Sequence, residues 1–181
     1  MKVIKHPELE GVLEIEPRIF HDSRGSFLEF YNQQTFAEAG IRDVFVQDNQ
    51  SISQRGVVRG LHFQNPPYDQ VKLVRVVWGR GMDVVVDIRK ESPTYGRWAG
   101  FLLDHEKQNM VYVPSGFAHG FVALEENTIL SYKCTDFYNR DMEGGIYWND
   151  PEIGINWQIE NPIVSEKDQE LPLLRDFKSE F

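Results

Sequence analysis

The chain has 181 residues, 41% hydrophobic and 13% aromatic, with a formal net charge of −9. That length supports one domain with a sizeable core, and the composition excludes a disordered chain. The acidic balance argues against a general nucleic-acid binder, which needs a basic face, but not against a small anionic ligand held in a locally basic pocket.

In chain order, MKVIKHPELEGVLEIEP contains no apolar run long enough for a signal peptide. No later stretch approaches the apolar length of a membrane-spanning helix, so the expected location is the cytoplasm. The polar cluster DSRGSFLE follows, carrying Arg24 and Glu29. One helix is predicted, NQQTFAEAG near 32–40, with Gly40 as its stop signal. The cluster VQDN, with Gln47, Asp48 and Asn49, reads as a solvated loop.

Strand signals dominate from there. GVVRGLHFQ (56–64), WAGFLLD (98–104), NMVYVP (109–114), GFVAL (120–124) and TILSYKCTDF (128–137) are short β-type segments. Val71 to Ile88 is two β-branched runs around a Gly-containing turn and reads as a hairpin. NPPYD, ESPTYG, PSG and EEN supply turns between strands. The pattern predicts an all-β sandwich or barrel, a single domain over 1–181 with no linker or repeat. From Asn149 the chain is Pro-rich and poorly periodic, and is expected to wrap the barrel with Ile153, Ile155, Trp157 and Leu171 anchored. The single cysteine, Cys134, cannot form an internal disulfide, which fits a reducing compartment or simply a fold that needs no staple.

Few residues invite chemistry. His62 lies in a predicted strand with Gly60 and Gln64 on its face, small and polar neighbours that suit a cavity, although a hydrogen-bonded structural histidine fits equally. His119, in PSGFAHGF, stands between glycines and aromatics, where close approach of a ligand or a backbone and a loop-capping role are alternatives. Lys72 alternates with Val74 and Val76 and should share their face; it could stabilise an anion or snorkel to water. Tyr132 reads from its surroundings as a core tyrosine with a tethered hydroxyl. A metal reading of the two histidines is poor: Gln64 replaces a second histidine two residues on, and Gln70 and Lys72 stand where a carboxylate ligand could follow.

The segments DSRGSFLE, VQDNQSIS, GVVRGLHFQ, QVKLVRVVWG, VDIRKESPTYG, VYVPSGFAHGF, NDPEIGINW and SEKD, in this order, resemble the dTDP-4-dehydrorhamnose 3,5-epimerase family of RmlC-like cupins. The resemblance spans nearly the whole chain, and RGLHFQ with PSGFAHGF carries most of its specificity. It implies a cupin-type jelly-roll barrel, a homodimer with strand exchange, and epimerisation of dTDP-4-dehydro-6-deoxy-D-glucose to dTDP-4-dehydro-L-rhamnose with no cofactor and no metal. It implies that His62 is the general base, Asp168 its orienting partner, Tyr132 the general acid, and Lys72 the cation near the C4 oxygen. Arg24, Glu29, Gln47, Asn49, Arg59, His119, Glu143 and Lys167 match substrate-contacting positions, and Tyr138 matches an aromatic stacked on thymine. Single-centre epimerases and non-catalytic sugar-nucleotide- or metal-binding cupins remain the alternatives.

Overall fold

The computed structural model describes all residues, 1–181. Its β-strands assemble into two six-stranded sheets and a separate hairpin, with two short helices. The first sheet runs β1 (Lys2–Lys5), β2 (Leu13–Glu16), β10 (Met110–Val113), β7 (Lys72–Trp78), β12 (Thr128–Cys134), β5 (Gln47–Ser53). The second runs β13 (Glu143–Gly145), β6 (Val57–Gln64), β11 (Phe117–Ala123), β8 (Arg80–Asp87), β9 (Trp98–Asp104), with β14 (Ile163–Val164) parallel to β6. β3 (Ile19–Asp22) and β4 (Gly25–Leu28) pair only with each other. This is the expected all-β, cupin-type jelly roll. No helix is long and apolar enough to cross a membrane.

Alternation along the strands sorts the core into layers. Val74, Val76, Val85, Val111, Phe121 and Leu130 point between the sheets. Met82, Val84, Val86, Ala118 and Val122 face the other way and are covered by Ile153, Ile155 and Trp157 of the tail. The tail is therefore anchored as expected, and Leu171 is half-buried with its methyls beside Gly145. On the outside of the first sheet, Leu73, Met110 and Ile15 receive Phe36 from α1 (Gln33–Glu38). That helix starts because the Asn32 side chain accepts from the Gln34 and Thr35 amides, and it stops before Gly40, whose φ is +94°.

Two expectations fail here. The segment Val71–Ile88 is not a hairpin: β7 pairs with β10 and β12, whereas β8 pairs with β9 and β11. The chain crosses between sheets at Gly79, where φ is +77° and a Cβ would lie 2.7 Å from Thr128 Oγ1. Gln47, Asp48 and Asn49, read as a loop, begin the strand β5, and β1 to β4 lie in a region where no strand is expected from the sequence.

Candidate active site

One cavity of about 560 Å³ opens between the sheets. β6 brings Arg59, His62 and Gln64 to it, β11 His119, β7 Lys72, β12 Tyr132, and β5 Gln47 and Asn49. Strict alternation would place Arg59 and His62, three residues apart, on opposite faces. A bulge solves this: His62 pairs with His119 but Arg59 pairs with Phe121, so β6 holds one extra residue against β11. The bulge depends on Gly60, at φ +123°, because a Cβ there would sit 2.7 Å from Gly120 Cα and 2.8 Å from the His119 carbonyl. The glycine beside His119 thus admits a neighbouring backbone.

His62 Nε2 lies 2.7 Å from Asp168 Oδ1. Asp168 is buried; its Oδ2 accepts from the Gly60 amide at 3.1 Å, and its own amide donates to the Ser165 hydroxyl that caps α2 (Glu166–Gln169). Burial raises the Asp168 pKa, but the His62 hydrogen bond and charge and the Gly60 amide outweigh it and hold the carboxyl below its ordinary range. An ionised Asp168 accepts the Nε2 proton, which leaves the Nδ1 lone pair of neutral His62 available as a base.

Across the gap, the first sheet supplies Tyr132 and Lys72. Burial pushes the Tyr132 phenol above its usual value, with Cys134 and Glu143 adding and Arg59 opposing. Lys72 is the only lysine or arginine among the buried residues, 8% exposed, and donates to the His62 carbonyl at 3.3 Å. Burial lowers its pKa, against the charges of Cys134, Asp83 and Glu143.

The mouth is polar. Lys167 bridges Glu143 at 2.7 Å, the Tyr138 hydroxyl donates to the other Glu143 oxygen at 2.9 Å, and the Tyr138 amide donates to Gln47. Burial raises Glu143, but these two hydrogen bonds prevail and keep its carboxyl low. Gln64 accepts from the Asn139 amide at 2.7 Å and donates to the Tyr68 and Phe137 carbonyls, and Gln70 donates to the Asp136 carbonyl. Both amides fasten the 136–139 loop that carries Tyr138.

All but two of the residues selected from sequence line this cavity. Arg24 and Glu29 do not: Arg24 lies on the β3–β4 turn, its side chain 87% exposed and paired with Asp22, and Glu29 accepts from Asn32. The sequence reading missed Ser51, Phe63 and Ser165 in the lining and Asp83 behind it. Asp83 had a signal, a carboxylate set among Met82, Val84 and Val85 in an otherwise apolar strand.

A carboxylate-held imidazole facing a phenol and an ammonium inside a jelly-roll barrel defines a cupin equipped to move protons. The sequence profile described as dTDP-4-dehydrorhamnose 3,5-epimerase matches residues 6–176, and the chain belongs to that family. It is 48% identical over 171 residues to the dTDP-4-dehydrorhamnose 3,5-epimerase of Methanothermobacter thermautotrophicus, covering 93% of this chain and 92% of that one. The crystal structure of the Legionella pneumophila dTDP-6-deoxy-D-glucose-3,5-epimerase, in complex with dTDP-4-keto-L-rhamnose, superposes with a TM-score of 0.93 at 42% identity, covering 98% of this chain and 94% of that one. A Streptomyces niveus dTDP-4-dehydrorhamnose 3-epimerase is 43% identical over 169 residues, 93% of this chain and 82% of that one.

Proposed function

We propose that this chain epimerises dTDP-4-dehydro-6-deoxy-D-glucose at C3 and C5 to give dTDP-4-dehydro-L-rhamnose, as one cupin domain over 1–181, with His62 as base and Tyr132 as acid. The observation that supports this reading is His62 on one sheet, 2.7 Å from Asp168 of α2, with Tyr132 on the sheet facing it.

The chemistry asks for that layout. A C4 ketone acidifies the hydrogens on both C3 and C5, and removal of either leaves an enolate with its charge on the C4 oxygen. His62 takes the proton through Nδ1 while Asp168 stabilises the imidazolium. The Lys72 ammonium answers the charge as it develops on the oxygen. Inversion requires reprotonation from the opposite face, so a second group must act. A half-buried phenol whose pKa is raised, chiefly by desolvation, stays protonated at neutral pH and can be that group. No step needs electrons or a metal. Arg59 and Lys167 are the cations at hand for the diphosphate, and Tyr138, 57% exposed at the mouth, offers a ring on which the base can stack.

Arg24 and Glu29 belong to this reading through a partner. The β3–β4 hairpin exposes Phe20 and Phe27 and pairs with no other strand of its own chain. In a homodimer with exchanged arms it would bring both side chains to the neighbouring cavity. Replacing His62 by Asn keeps an amide beside Asp168 but removes the base. The folded variant should bind substrate and lose about 10²–10⁴-fold in turnover. Near-normal turnover would remove His62 from the mechanism.

A further inference from the structure

A second carboxylate–imidazole pair is formed by His119 of the cavity lining and Asp83 behind it. His119 Nε2 lies 2.6 Å from Asp83 Oδ1, and Asp83 is fully buried on β8. Its other oxygen, also buried, has no hydrogen-bond partner. An ionised carboxylate so placed is costly unless it offsets a positive charge. Lys72 is one cation that feels it, and His119, when protonated, is the other. His119 is the direct cross-strand neighbour of His62, and its ring centroid is 6.3 Å from that of Tyr132. It therefore stands beside both the base and the acid, with Nε2 tied down and Nδ1 left for the cavity it lines.

Proton accounting gives this position a task. One inversion leaves His62 as imidazolium and Tyr132 as phenolate. Neither can act at the second carbon until a proton has passed from one to the other. We propose that Asp83 and His119 form a proton-return dyad that resets His62 and Tyr132 between successive epimerisations, an inference that rests on the double-epimerase reading above. The N–H bond on His62 Nδ1 breaks as one forms on His119 Nδ1, through intervening water. That bond then breaks as O–H reforms on Tyr132. Asp83 stabilises the transient His119 imidazolium and keeps Nε2 protonated, so the same nitrogen receives and releases the proton. His119 is the catalytic residue here and Asp83 a positioning residue.

The test separates first from later inversions. Wild type, Asp83→Asn and His119→Gln are mixed with saturating dTDP-4-dehydro-6-deoxy-D-glucose in deuterated water, and label at C3 and C5 is followed from the first turnover into steady state, with and without added imidazole. In the variants the first inversion should outpace later ones by about 10²-fold, the size of one proton-transfer contribution. Added imidazole should restore the later ones in proportion to its concentration, while wild type ignores it. His119→Gln supplies the result if the buried Asp83→Asn change prevents folding. Equal slowing of first and later inversions, with no response to imidazole, would make His119 a binding residue only and overturn the proposal. A wild-type protein that labels neither carbon would instead overturn the function on which it rests.

Discussion

Lys72, proposed above as the cation near the C4 oxygen, is a buried charge. Burial lowers its pKa, so the folded state disfavours the charge that the unfolded chain carries freely. Such a group destabilises the fold in full below its folded-state pKa, and the cost is relieved as pH rises toward the unfolded value of about 10.4. Lys72→Met should therefore raise the thermal midpoint at neutral pH, by about 2–4 °C for each kcal/mol recovered in a chain of this size. It should also lower turnover by about 10²–10³-fold, as expected for loss of a donor to a developing oxyanion. A variant that loses both stability and activity would make Lys72 a structural residue. Asp168 has the opposite sign: its pKa is depressed, so its stabilising contribution exists above the ordinary carboxylate range and fades as pH falls through its folded-state value.

At the scale of the element, the strand β6 is the piece on which the site turns. Its bulge puts Arg59 and His62 on one face, and Gly60 donates its amide to Asp168 while its missing side chain lets β11 approach. Gly60→Ala should cost about 1–3 kcal/mol of stability through the positive φ, and more if the contacts with Gly120 and His119 cannot relax. Turnover should fall along with the unfolding midpoint, because the same shift moves His62 against Asp168. Unchanged stability would show that the backbone accommodates a Cβ there. Strands built from β-branched runs, such as those holding Val74, Val76 and Val122, were legible in the sequence. β5 was not, because its inward positions are Gln47, Asn49, Ser51 and Ser53. Residues that line a polar cavity erase the alternation that marks a half-buried strand. The turn at Gly79 misled for a related reason, since a glycine between two apolar strands serves a sheet-to-sheet corner as well as a hairpin. His62, Lys72 and Tyr132 each had a bland structural alternative when read from their neighbours, and only the fold brings them to one cavity.

At the scale of the molecule, the exposed β3–β4 arm predicts that the unit of activity is a dimer. Mixing Arg24→Ala with His62→Asn subunits tests this without a structure. If Arg24 serves the neighbouring cavity, each mixed dimer contains one site with both residues intact. Random exchange in a twofold dimer should then restore roughly a quarter of wild-type activity from two nearly inactive parents. No recovery, with exchange verified by mass, would place Arg24 in its own chain's site or in none.

In the proposed reaction one cavity inverts two carbons flanking one ketone by deprotonating each on one face and reprotonating it on the other. Proton nuclear magnetic resonance of the wild-type reaction in deuterated water tests it most directly. Solvent deuterium is expected at both C3 and C5 of a product inverted at both. Label and inversion at only one of the two carbons would contradict it and make the chain a single-centre member of its family.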